Sequence, residues 1–190
     1  MVKRPEMDPA SAPGGPALRK ATAEDTPAIV RLVNLAYQGD PEGAIQGSWT
    51  SEADIVFGPR VTAAAVLTRI AAPDGVFLLQ GGEGSDALTE LAGCVYVERR
   101  GDAGHIGLLS VHPSAQSARL GTHLLRAAEA WTRESFGLGH AVVWVVSARE
   151  ELAAWYQRKG YTRTAETHPF PPAEARVPGL FFVVMKKLLV

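Results

Sequence analysis

Gln116 to Thr122 is a run of small and polar residues, Gln-Ser-Ala-Arg-Leu-Gly-Thr, set between an apolar stretch ending near Val111 and a long amphipathic one. A strand that turns through such residues into a helix leaves backbone N–H groups without helical partners and aimed at one spot. Those donors and the helix dipole favour an anion, most often a phosphate. Gln116–Thr122 therefore reads as a diphosphate cradle, although the same residues also suit a plain strand–turn–helix connection. A second stretch of interest is Ser147 to Tyr161. Ser147 and Glu150 have the spacing of a capping box, and Leu152, Trp155 and Tyr156 share one helical face. Gly160 suits the end of that helix. On this reading alone Tyr156 is a half-buried core tyrosine.

Other reactive residue types point away from alternative chemistries. Cys94, the single cysteine, sits in the apolar run Leu91–Val97 and reads as a buried structural thiol. His105 and His112 are seven residues apart, an odd offset that sets them on opposite faces of a strand, so they make no metal site. No metal is expected elsewhere. A phosphotransferase using the same turn would need a Gly-Lys-Ser/Thr sequence after it, and none follows.

These residues need elements to hold them. Ala17–Lys20 reads as a short first strand and Ala23–Tyr37 as a helix, with Asp25 and Thr26 as capping types, Pro27 in the first turn, and Ile29, Leu32, Val33 and Ala36 as its apolar stripe. Gln38–Pro59 has no steady period and reads as a long loop. Tyr37 at its start and Trp49 within it are apolar groups that a solvated loop does not need; they line an acceptor pocket or fold back as anchors. A second helix is expected over Arg60–Ala71, then strands at Val76–Gln80, Leu91–Arg99 and His105–Val111. The helix after the cradle carries Leu120, Leu124, Ala128 and Trp131 at helical spacing. Ala141–Val146 is a strand covered on both faces. A short helix at Glu150–Lys159 and strands at Tyr161–Thr167 and Leu180–Leu188 complete a mixed α/β sheet.

The chain of 190 residues suits one domain, over residues 17–190, preceded by a Pro/Gly-rich disordered tail at 1–16. With 19 basic and 20 acidic side chains the net charge is −1, which gives no general pull towards nucleic acid or an anionic membrane. No apolar run has the length of a membrane span, no signal-peptide core is present, and one cysteine fits a reducing compartment, so a cytoplasmic protein is expected.

The run Val-His-Pro-x-x-Gln-x-x-Arg-x-Gly-Thr, followed by Leu-Leu, resembles the acetyl-CoA signature of the GNAT N-acetyltransferase superfamily, commonly Gln/Arg-x-x-Gly-x-Gly/Ala. Gln116, Gly121 and Thr122 fall on pattern positions; Arg119 stands where the first glycine is expected. Leu-Ala-Ala-Trp-Tyr-Gln-Arg-Lys-Gly-Tyr resembles the second signature, Tyr-Glu-Lys-x-Gly-Phe, with Tyr156 on its tyrosine. Arg149 occupies a position where many members have asparagine.

The resemblance implies a mostly antiparallel sheet of about seven strands flanked by helices and splayed between the fourth and fifth strands, here His105–Val111 and Ala141–Val146. It implies acetyl-CoA as co-substrate, held by Leu109, Val111, Gln116, Ser117, Ala118, Arg119, Leu120, Gly121 and Thr122, with Arg149 as a cation near the coenzyme. The implied reaction is direct acetyl transfer to a primary amine, either a small molecule or a protein N-terminus. Tyr156 is then the general acid for the departing thiolate, and a phenol with an ordinary pKa of about 10 is protonated and ready to donate. Some members place a glutamate on the fourth strand as base; counting back from Gln116 puts His105 there, with Glu98 or water as rivals. A homodimer fits the family's habits. The alternative from another class is an acyl-CoA-binding module without turnover, for which coenzyme release with a panel of amines is the discriminating assay.

Overall fold

The computed structural model of the protein describes residues 18–40, 51–81 and 91–190. The tail at 1–16 and Trp49 lie outside the described residues. Seven strands form one sheet: β1 (Arg19–Lys20), β2 (Gly75–Gly81), β3 (Leu91–Arg100), β4 (Ala103–Val111), β5 (His140–Val146), β6 (Thr162–Pro169) and β7 (Phe181–Leu188). Their order across the sheet is β1-β2-β3-β4-β5-β7-β6, and every neighbouring pair is antiparallel except β4 and β5. The mixed, mostly antiparallel sheet expected from the sequence is the one found.

Helices cover both faces. α1 (Thr26–Gln38) and α2 (Ala63–Ala71) lie on one side, where Ile29, Val33 and Val66 pack against Phe77, Leu79, Cys94 and Tyr96. On the other side, α3 (Leu120–Glu134) and α4 (Glu150–Arg158) pack Leu124, Ala128, Trp131, Ala153 and Tyr156 against Leu78, Val95, Val97 and Val143. The alternation of strand residues between these two clusters is the period of two made visible.

Two expected helix starts are corrected. α2 starts at Ala63, not Arg60, because the Thr62 hydroxyl accepts from Ala65 N–H at 3.3 Å and caps the helix there. Val61 is instead tied to α1: its N–H donates to Asn34 Oδ1 and its carbonyl accepts from Asn34 Nδ2, both at 3.1 Å. The Ser147–Glu150 capping box does not form. Arg149 is the residue before α4, and Ser147 continues the β5–β7 ladder, its N–H donating to Phe181 O at 2.8 Å and its Oγ accepting from Phe181 N–H. At the other end of α4 the expectation holds. Gly160 has φ 90°, its N–H reaches Gln157 O, and Tyr161 N–H reaches Tyr156 O, the two bonds of a Schellman motif.

The feature that opens the sheet is a β-bulge in β4. Tyr96 pairs with Gly107 and Cys94 with Ser110, so Leu108 and Leu109 together oppose Val95. Leu108 takes φ 50°, the left-handed region that a leucine seldom enters. Its carbonyl accepts from Ser110 Oγ at 3.2 Å and from Cys94 Sγ at 3.7 Å. The extra residue bends β4, and β4 pairs with β5 only at Gly104–Ala141 and His105–Val142. Past that point the two parallel strands part.

Candidate active site

A cavity of about 140 Å³ lies along the end of β4 that has parted from β5. β4 contributes Leu109 and Val111, the 3-10 turn at Pro113–Ala118 contributes Gln116, and the start of α3 contributes Arg119, Gly121 and Thr122. From α4 and the residue before it come Arg149, Leu152, Trp155 and Tyr156; α1 adds Ala36 and Tyr37 from the opposite face of the sheet. The described lining holds two arginines, two tyrosines, Gln116 and Thr122, and no carboxylate.

The cradle is built by one backbone conformation. Arg119 has φ 59° and ψ 13°, left-handed, and its carbonyl accepts from Thr122 and His123 N–H as the first bonds of α3. That conformation is the one a glycine adopts without strain, which gives the family's glycine at this position its physical reason. The arginine keeps the turn and sends an exposed side chain to the cavity rim. Gly121 faces the cavity: a Cβ built on it would meet Val111 Cγ2 at 3.6 Å and Trp155 Cζ2 at 3.9 Å. Gln116 Nε2 donates to Val111 O at 3.3 Å, tying the turn to the end of β4. Ser117 and Ala118 belong to the turn, and Leu120 points away from the cavity into the core.

Tyr156 is buried at the inner wall, with Trp155 edge-on to its ring at 4.9 Å and Tyr161 at 5.4 Å. Burial drives its phenol pKa well above the usual range; the nearby Tyr37 adds to the rise and Arg149 works against it. Tyr37 is also held protonated by burial. Arg149 is 5% exposed and Glu52 3%. Arg149 Nη1 donates to Glu52 Oε1 at 2.8 Å, and the guanidinium sits 5.7 Å from the centroid of the Tyr37 ring. Arg60 Nε stands 4.0 Å from Glu52 Oε2.

The structure thus brings together Tyr37, Leu109, Val111, Gln116, Arg119, Gly121, Thr122, Arg149 and Tyr156. It does not bring His105 to them. His105 sits at the closed end of the β4–β5 pair, three ladder steps or about 10 Å along the sheet from Leu109 at 3.3 Å per residue. The bulge also changes the count of faces. Ile106 packs under α3, and Leu109 and Val111 follow on that same face, three and five residues on instead of two and four. His105 faces the other way, edge-on to Trp144 at 5.0 Å. Burial, aided by Arg100, pushes its pKa down to about 4. Glu98 is its cross-strand partner, accepts from Tyr96 Oη at 3.1 Å, and is equally remote from the cavity lining. The same extra residue undoes the parity argument that set His105 and His112 on opposite faces. Among the described residues no group of three or more ligating side chains is placed to hold a metal.

Sequence reading missed Trp155 and Leu152 as lining, though their helical spacing with Tyr156 carried the signal. It also missed Glu52, which no local pattern marks. Cys94 is fully buried with its pKa pushed to about 12, as a structural thiol should be.

Residues 48–161 match the model of the acetyltransferase (GNAT) family. No curated protein matches the chain in sequence. Among solved structures, the PaiA N-acetyltransferase of Thermoplasma acidophilum in complex with coenzyme A is similar at a TM-score of 0.61 and 16% identity, covering 90% of this chain and 97% of that one. The ribosomal-protein-S18-alanine N-acetyltransferase of Escherichia coli is similar at 0.62 and 13% identity, covering 91% and 93%. The spermidine/spermine N-acetyltransferase SpeG of Vibrio cholerae is similar at 0.59 and 14% identity, covering 91% and 92%. These identities speak for the fold. No helix among the described residues is long and apolar enough to cross a membrane.

Proposed function

The chain belongs to the GNAT family of acetyltransferases, enzymes that use acetyl-CoA, and from that premise we propose that its β4–β5 gap binds the coenzyme and that Tyr156 is the general acid of acetyl transfer to a primary amine. The observation that carries the proposal is that the cradle, the parted strand and Tyr156 line one cavity. The lining fits the coenzyme on chemical grounds. N–H groups at the start of α3 suit a diphosphate, Gly121 leaves the room that a Cβ would fill, and the exposed Arg119 at the rim of a lining without carboxylates suits an anionic ligand. Gln116, Arg119, Gly121 and Thr122 hold the diphosphate. The unpaired edge of β4 at Leu109 and Val111 holds the pantetheine arm by backbone bonds. When bound, the coenzyme supplies an acetyl thioester.

Tyr156 donates its phenolic proton to the sulfur as the thiolate departs. Leu152 and Trp155 shield that end of the cavity from water, which strengthens every charge interaction within it. A backbone N–H of β4 polarises the thioester carbonyl. The acceptor's proton passes to water, because His105 and Glu98 stand at the closed end of the strands. The acceptor is an amine that reaches the gap from the side of Tyr37. This reading is tested by following coenzyme release from acetyl-CoA with a panel of small amines and N-terminal peptides. Release that depends on one class of amine, and that is lost in Gly121→Val along with coenzyme affinity, is expected. Coenzyme binding with no release for any amine would leave an acyl-CoA-binding module.

A further inference from the structure

Glu52 comes from the loop after α1, 97 residues before Arg149 in sequence, yet the two meet in a buried ion pair behind the cavity wall, to which Arg149 alone of the two contributes. The loop is pinned there: Glu52 N–H donates to Tyr37 O at 2.6 Å, and Ile55 O accepts from Arg176 N–H at 2.9 Å. Arg60 lies against the second Glu52 oxygen. A buried pair of this kind gains little over apolar side chains of the same volume, so stability alone is a weak reason for it. Its position supplies a better one. Arg149 immediately precedes α4, Tyr156 lies in the second turn of that helix, and both line the cavity.

Proton donation by Tyr156 breaks its O–H bond, forms the S–H bond of free coenzyme and leaves the electron pair on the phenolate oxygen. The proton that the acceptor amine sheds, carried by water, restores the phenol. In between, a negative charge sits in a site whose burial opposes it. We propose that Glu52 is a positioning residue that holds the Arg149 guanidinium over Tyr37 at the cavity that Tyr156 also lines, so that a fixed positive charge balances the phenolate formed in the transfer step. The proposal rests on the general-acid reading of Tyr156. Burial raising the Tyr156 pKa, with Arg149 opposing the rise, is consistent with it. Glu52 acts through Arg149 and need not touch either substrate.

The test is a double-mutant cycle on turnover, with an acceptor for which chemistry is rate-limiting. Glu52→Gln keeps the shape and an acceptor for Arg149 but removes the charge that fixes it. We expect kcat to fall about tenfold in Glu52→Gln, the acetyl-CoA Kd to change less than twofold, and the same substitution to change kcat less than twofold when Tyr156 is already Phe. An equal loss of kcat in both backgrounds would make Glu52 a purely structural residue and overturn the proposal. So would unchanged kcat in folded Glu52→Gln. Should that variant fail to fold, Glu52→Asp and Arg149→Lys, which keep the charges and alter only their placement, are put through the same cycle. A loss of kcat confined to the Tyr156 background then supports the proposal, and an equal loss in both backgrounds, or none, overturns it. Wild-type turnover in Tyr156→Phe alone refutes the general-acid reading itself, a result distinct from any outcome at Glu52.

Discussion

Two helices begin at the wall of this cavity, and each begins on an arginine that departs from the family pattern. At the start of α3, Arg119 is exposed, sits in a left-handed backbone conformation and reaches the cavity rim. Before α4, Arg149 is buried, paired with Glu52 and stacked over Tyr37. The same side chain therefore serves two kinds of electrostatics. A solvated arginine is screened by salt and free to follow a large anion that comes and goes. A buried one is fixed, desolvated and costly to disturb, and its charge acts on one spot with little screening. Departures from a motif are informative only once their burial is known.

The comparison is broken most forcefully at Arg149. Arg149→Met leaves Glu52 buried beside Arg60 alone, and we expect a loss of about 3 kcal/mol, the low end for an orphaned buried charge because Arg60 remains close. Arg119→Ala should leave stability within about 0.5 kcal/mol. Thermal or urea unfolding of the two variants side by side checks the contrast; equal losses would erase it.

A smaller effect sharpens the distinction between the open and closed ends of the β4–β5 pair. His105 has a folded-state pKa of about 4, below its ordinary 6.5, so the unfolded chain takes up a proton there that the folded chain resists. Stability from this site is full above pH 6.5 and is lost as pH falls towards 4. With partial exposure discounting the shift, the loss is about 1–2 kcal/mol. His105→Gln should flatten that part of the stability–pH curve. It should leave the pH dependence of kcat unchanged, since His105 stands outside the cavity. A missing acidic limb in the rate profile of His105→Gln would return it to the role of base.

The smallest expected effect is at Arg119. Its charge should make acetyl-CoA affinity fall with salt, and Arg119→Glu should bind more weakly than Arg119→Ala. Arg119→Gly should relieve the left-handed strain and raise stability by about 0.5–1 kcal/mol. Calorimetry at two salt concentrations and a melting curve decide both points, and equal affinities for Glu and Ala would make Arg119 a bystander.

Much of this architecture was legible in the sequence, for identifiable reasons. α1, α3 and α4 show apolar residues at helical spacing, and Ala141–Val146 is an unbroken apolar run, so periodicity alone located them. The cradle and Tyr156 were legible because their spacing matches two short motifs. Three things were not. The Leu108 bulge leaves no mark in composition, since leucine gives no hint of a positive φ, and it undid the parity that set His105 and His112 on opposite faces. Ser147 looked like a helix cap, but the β5–β7 ladder offered its N–H and hydroxyl other partners. The Glu52–Arg149 pair joins a loop without period to a helix start across the sheet, and no local pattern encodes a contact of that range.

The central claim is that Tyr156 gives its proton to the departing sulfur, and one substitution separates this from a packing role. Tyr156→Phe keeps the ring and its contacts with Trp155 and Tyr161, so folding and coenzyme affinity should hardly move. Single-turnover acetyl transfer, measured with an acceptor for which chemistry limits the rate, should slow by roughly 10²–10⁴-fold. Wild-type transfer in the Phe variant would contradict the account.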